Sequence, residues 1–585
     1  MCDEHSHRNC LKKGIAIGVP CLFFATAWVF FQWVYPYHLF FKEQLTLFVM
    51  QRSYVLSYLA KPAFLSQVLG DFLTQFYILS GGGATVVVLT CLLLWGGIRS
   101  AFKRMGFRTP GVWALLPVWA ECVLTCYIEY PLAMTLGAVV SVWTFVALAS
   151  CRNLPARWGL MALAMVLLYP LVGAPFFTFV ALAVFYAYQT TKSFRAPLLL
   201  VVLGLGTPWA WGPLFHITSY QAYFYPIVEG YMMRNHFLYL ITEGTVVCLL
   251  LVSGLKPRWV LPLAGCVLTA ALVAVGATKT YQPKEELLLD LATNAYFNRW
   301  ERVLEKSAAN PHKLYLVSYY HNLALSREKR LPYELLNYYQ PAYHGLLLQI
   351  DENVGYLPIL FSTDALQICG DMAQAQHSAL LGITFTPHQR SSRMARKLAE
   401  IALINEDNLA ADKYLWLLEH TLFHKKWART VQQQRREGKT TSLPFAFFTT
   451  PLRTEQDVLF SPNQWYKSLR NLLQSNPQNQ IAADYLLCFH LLNKDLPAFK
   501  NDYDTYYGPV FGQTPPRLYQ EALLMCLSEQ ENPMTQMRQY GILPAVYEDC
   551  NRYLDLYQKA QGNGRPLEPN YGKTYWFYYY YAQIK

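Results

Sequence analysis

Residues 78–104, ILSGGGATVVVLTCLLLWGGIRSAFKR, decide the fold class. Residues 78–98 carry no charge, and Arg99, Lys103 and Arg104 follow directly. A hydrocarbon core of ~30 Å needs about 20 apolar residues in a helix that satisfies its own backbone, so this stretch reads as a membrane span with a basic flank. Working outward, comparable runs occur at 15–34, 112–128, 131–149, 158–172, 174–188, 197–211, 237–254 and 259–277, about nine spans in all. The fifth and sixth are short. Pro170, Gly173 and Pro175 break them apart, so a re-entrant hairpin is an alternative that leaves the side of everything downstream unchanged.

The charge distribution separates two halves. Residues 1–278 hold 17 Lys and Arg against 8 Asp and Glu, and residues 279–585 hold 32 against 30. A basic excess confined to the loops of an apolar region is an orientation signal and argues against nucleic acid, which would draw cations onto a soluble surface. With the N-terminus inside, 13 cations fall in cytoplasmic segments and only Lys42, Arg52, Lys61 and Arg234 outside. The expected domains are thus a transmembrane domain, 1–278, and an extracytoplasmic domain, 279–585, in the periplasm or an equivalent compartment. A cleaved signal peptide is the rival reading of the first span. No small-residue cleavage site follows it, and Trp33, Tyr35 and Tyr37 look like an interfacial aromatic belt.

The first outer loop, 35–77, carries the candidate chemistry. Phe64, Leu65, Val68, Leu69, Phe72, Leu73 and Phe76 line one helix face, and Gln67, Asp71, Thr74 and Gln75 the other. Such a helix is expected in the membrane interface with its polar face toward water. Glu43 stands just past the first span, which places two carboxylates, Glu43 and Asp71, at the outer surface. Glu121, Glu129 and Glu243 fall at or near membrane depth, where an ionisable group needs a wet cavity or a partner. His216, Glu229, Arg234 and His236 lie in the outer loop before the eighth span. The plain reading makes each of these a solvated loop residue or a hydrogen-bonded structural group; the functional reading lets some of them bind substrate in one outward cavity.

Cysteine carries little signal. Cys369, Cys488, Cys526 and Cys550 lack CxxC spacing and allow either a bridge or burial as thiols. Cys2, His5, His7 and Cys10 look like metal ligands on paper but sit in a short terminal tail. The half from 279 onward reads as all-α, with helix-turn-helix pairs at 393–404 with 409–420 and at 478–492 with 496–507, an expected TPR-like solenoid without a strict 34-residue repeat. The aromatic run 575–581 reads as packing for a terminal helix.

Two resemblances add to this. EQLTLF (43–48), PAFLSQVLGDFLTQFY (62–77), HNLALS (321–326) and KLAEIALINEDNLAADKYLWLLEHTLFHKKWA (397–428) resemble an uncharacterised family of multi-pass membrane proteins from Bacteroidota. The arrangement of a first span, a long outer loop with an acid near its start, further spans and a helical tail also resembles the GT-C membrane glycosyltransferases. That likeness implies a first-loop carboxylate, often with a divalent metal, assisting sugar transfer from a polyprenyl phosphate. Only Glu43 and Asp71 carry over as catalytic residues, and the loop lacks a DxD or paired-acid motif. The expected function is therefore GT-C-like transfer of a lipid-linked sugar, with a membrane-anchored scaffold that docks a periplasmic protein as the alternative and a transporter third.

Overall fold

The computed structural model describes residues 18–107, 109–227, 240–254, 282–309, 313–349, 356–386, 389–439, 458–460, 464–512, 514–527 and 533–583. Glu229, Arg234 and His236, the Cys2 to Cys10 group and the ninth expected span, 259–277, lie outside them. Among the described residues there is no strand, and the chain is all-α. It divides into two compact units: 1–286 with 385–393 and 416–428, and 287–384 with 394–415 and 429–585. The first unit thus extends past 279 to 286 and takes in two further stretches downstream.

In the first unit α1 (Gly18–Val34) and α2 (Pro36–Gln44) form one pair bent by 70°. The break falls where Tyr35 leaves helical geometry and Pro36 opens the next helix, a position at which the missing N–H of proline costs nothing. α3 (Arg52–Ser57) and α4 (Phe64–Thr74) complete the first loop. Then follow α5 (Gly82–Arg104), α6 (Pro110–Thr125), α7 (Leu132–Ala149), α8 (Leu154–Val172), α9 (Phe176–Thr191), α10 (Arg195–Trp211) and α11 (Ile241–Gly254). Leu94, Ile98, Val142, Phe145, Phe176 and Phe179 sit in the core that joins them.

Among the described residues four helices are long and apolar enough to cross a membrane, or up to five if the bent pair is one span, against the nine expected from hydropathy. Part of the difference is length, and the ninth expected span lies outside the described residues. α6, α9 and the described part of α11 are apolar but hold only 10–17 residues, short of the ~20 that a 30 Å core requires at 1.5 Å per residue. The short spans expected at 158–172 and 174–188 are a helix of 19 residues followed by one of 16. They part at Gly173, whose φ of +69° and approach to the Tyr225 carbonyl, 2.4 Å from where a Cβ would stand, exclude a side chain.

α4 is turned over relative to expectation. Ser66, Gln67, Gly70 and Thr74 are buried, and Leu69 is 38% exposed. Its polar face seeks partners inside the protein, with the Gln67 amide donating to the Tyr225 hydroxyl at 3.3 Å and Asp71 partly exposed, while its apolar face is half-buried with Leu69 outermost. That is the arrangement expected where the surroundings are hydrocarbon, since a polar group facing lipid would go unsatisfied. At Gly70 the helix crosses α7 so closely that a Cβ would stand 2.8 Å from the Ala133 nitrogen. Small residues at such crossings let membrane helices pack backbone to backbone. Gly70→Val is therefore expected to cost about 1–3 kcal/mol, read as a lower unfolding midpoint of the full chain in detergent.

The second unit contains the expected helix pair at 478–492 and 496–507, whereas the pair at 393–404 and 409–420 is divided between the two units. Gln480–Leu492 is capped by the Asn479 side chain and Leu496–Asp502 by that of Asp495, with Lys494 in a left-handed turn between them. Its helices run from the 4 residues of Leu331–Glu334 to the 16 of Pro544–Lys559, and among the described residues they show no constant repeat unit. Cys369, Cys488, Cys526 and Cys550 are all free thiols.

Candidate functional site

Every polar side chain in the second half of α2, and one in the first, is buried: His38, Lys42, Glu43 and Gln44 are 1%, 7%, 3% and 1% exposed. Such burial requires partners, and each has a different one. The His38 ring meets Glu286 at 2.6 Å, and Glu286 also accepts from the backbone N–H groups of Tyr37 and His38. The Lys42 ammonium donates to the carbonyls of Thr125 and Tyr130. Glu43 Oε1 lies 2.8 Å from His424 Nε2. The Arg393 guanidinium donates to Gln44 Oε1 at 2.8 Å. Backbone bonds seal the arrangement, from Ser392 N–H to the Thr46 carbonyl and from Met50 N–H to the His420 carbonyl.

Glu43 is thus held inside the unit. Its second oxygen is buried without a hydrogen-bond partner among the described residues. Asp71, the other first-loop carboxylate, is placed differently. It is partly exposed and accepts a 2.6 Å hydrogen bond from the Tyr58 hydroxyl. Arg390 lies over the rings of Tyr54 and Tyr58, with its guanidinium carbon 4.2 and 5.4 Å from their centroids, and donates to the Ser57 hydroxyl. Burial pushes the Tyr58 phenol up first and the Asp71 charge pushes it further, so Tyr58 keeps its proton and donates. Burial alone would lower Arg390, but the tyrosines and Asp71 outweigh it and hold the guanidinium charged. Leu56 and Leu59, both half exposed, flank the cluster.

The remaining candidates do not join it. Glu121 accepts from the hydroxyls of Tyr130 and Thr135 within the helix bundle and interacts electrostatically with Glu243. His216 closes a turn in left-handed geometry, and no hydrogen bond among the described residues links it to the other candidates. Glu129 lies beside Lys42 and Glu285.

Sequence reasoning missed His424, Arg390, Arg393, Glu285 and Glu286. Only His424 had a signal, since it lies in the stretch 397–428 that carried the family resemblance. Glu285 is pushed up to about 7 by burial and then by Glu129. A carboxyl raised in the folded state favours folding while protonated, and that contribution is lost as pH rises from the ordinary carboxyl range through about 7. The unfolding midpoint of the full chain is expected to fall between about pH 5 and 8, and Glu285→Gln to flatten that slope.

A divalent metal does not fit these residues. Glu43 and His424 supply two ligands, and among the described residues no group of three or more His, Cys, Asp or Glu could hold an ion.

Residues 12–582 match the family described as "Family of unknown function (DUF6057)". The chain belongs to that family. No curated protein and no solved structure matches it. Because the DUF6057 match covers both units, the pairing of α2 with 416–428 falls wholly inside the family's extent.

Proposed function

We propose that the chain is a membrane-embedded, GT-C-like transferase of the cell envelope that moves a sugar from a polyprenyl-linked donor at the outer leaflet. The observation that carries this reading is the Asp71, Tyr58, Arg390 cluster on a loop whose outward face is apolar. In the step envisaged, an acceptor hydroxyl oxygen bonds to the anomeric carbon as the bond from that carbon to the phosphate oxygen breaks. The hydroxyl proton passes to Asp71, and the negative charge on the departing phosphate meets the Arg390 guanidinium. Tyr58 orients the carboxylate. Glu43 is a positioning residue in this reading, since its burial with His424 keeps it from substrate.

The basic loop residues support an N-terminus in the cytoplasm of a bacterial inner membrane, with 279–585 on the periplasmic side. A second reading, a membrane-anchored scaffold that docks a periplasmic protein, is favoured by the burial of Glu43.

Deleting the gene in its native host and restoring it as wild type or as Asp71→Asn separates the two. The transferase reading expects an envelope glycan to be lost or truncated on deletion, restored by the wild type and not by Asp71→Asn. Unchanged glycans on deletion refute it. Full restoration by Asp71→Asn would favour the scaffold.

A further inference from the structure

The second unit contains a groove of about 1020 Å³. That is at the upper end of the ~300–1,000 Å³ of small-molecule sites, which points to an extended ligand. Its walls come from three separated parts of the chain, 313–315, 336–349 and 572–583. Tyr315, Tyr338, Tyr339, Phe577 and Tyr581 are partly or well exposed along it, Tyr339 to 46%. The aromatic run at the end of the chain therefore has two faces. Tyr575 and Trp576 pack inward, as the sequence suggested, while Phe577 and Tyr581 line the groove together with the largely buried Tyr578.

The polar chemistry is one-sided. No described residue lining the groove is a carboxylate, and Lys313 is its one lysine or arginine. Lys313 is exposed, with its ammonium 5.6 Å from the centre of the Tyr339 ring. Gln340 contributes an amide already spent on Asn322 and the Leu335 carbonyl, whereas Gln349 and His344 are partly exposed along the wall. The Tyr581 hydroxyl donates to the Gly562 carbonyl, so that phenol is fixed and presents its ring.

We infer that this groove binds a linear acidic oligosaccharide. A sugar ring carries a C–H face and a rim of hydroxyls. The C–H face lies well on the negative face of an aromatic ring, and the rim suits phenols and amides. A uronate carboxylate would meet Lys313 with no competing acid in the wall. The lining is poor in the aliphatic side chains that would seat an amphipathic peptide helix, and no strand edge among the described residues offers main-chain pairing. A proline-rich peptide, which also docks on aromatic grooves, is the competing occupant. The inference does not depend on the role of Asp71, because it concerns binding alone.

Titration of the full chain in detergent with hexagalacturonate, a hyaluronan hexasaccharide, maltohexaose and a hexaproline peptide tests it. At least one acidic hexamer is expected to bind more tightly than maltohexaose and hexaproline, and more weakly at higher salt. Lys313→Gln and Tyr339→Ala, both at exposed positions, are each expected to weaken that binding at least tenfold with the unfolding midpoint unchanged. Failure of both acidic hexamers to bind overturns the inference. So does tighter binding of maltohexaose or hexaproline, or binding that neither substitution alters.

Discussion

Replacing Glu43 with Ala is expected to destabilise the first unit by about 3–5 kcal/mol, the range for removing one member of a buried pair and stranding the other. His424 is 6% exposed, and Glu43 is its hydrogen-bond partner at 2.8 Å. Without the carboxylate, the imidazole nitrogen is left in a site that water does not reach. Glu43→Gln keeps an acceptor of the same size in place and should cost less. His424→Ala should cost about as much as Glu43→Ala, and the double variant less than the two together, because each single change already breaks the same contact. The measurement is the unfolding midpoint of the full chain in detergent, with protease sensitivity of 416–428 as a local readout. If Glu43→Ala unfolds at the wild-type midpoint, the pair is not holding the unit together and a direct role for Glu43 in chemistry returns to consideration.

Asp71→Asn is expected to leave the fold intact and lower kcat/KM for sugar transfer by ~10²–10⁴-fold, the usual contribution of a positioned general base. The amide oxygen still accepts from Tyr58, and the volume is unchanged, so the loop has no reason to rearrange. What is lost is the basic oxygen. Arg390→Lys is expected to act through a different quantity. It keeps a positive charge near the phosphate but gives up the planar group stacked on Tyr54 and Tyr58, so substrate affinity should weaken along with turnover. Release of sugar from a polyprenyl phosphate donor, in proteoliposomes holding the full chain, reads both. An Asp71→Asn variant that turns over at the wild-type rate would remove Asp71 from the mechanism.

The long apolar helices were legible because hydrophobic length is written along the chain: α5, α7 and α8 stand close to where their apolar runs predicted them. Span number was not, because hydropathy counts α6 and α9 as spans although each ends too soon to cross a 30 Å core. Period 3.6 correctly divided α4 into two faces but could not say which faced outward. A periodic pattern fixes the angle between faces, and only the surroundings fix the direction; beside lipid the polar face turns inward.

The candidate site shows the same limit more sharply. Sequence alone determined that the chain is helical, that its first part is apolar enough for a membrane, and that Glu43 and Asp71 share the first loop. It could not distinguish the two, since burial is not a local property. Tertiary structure decided that Glu43 meets His424, 381 positions away, while Asp71 stays partly open beside Arg390. It also gathered the walls of the aromatic groove from segments that begin at Lys313 and end near Gln583. Propensity and hydropathy act over one helix or one loop. Convergence of side chains from distant parts of the chain depends on which helices pack, and only the folded chain carries that information.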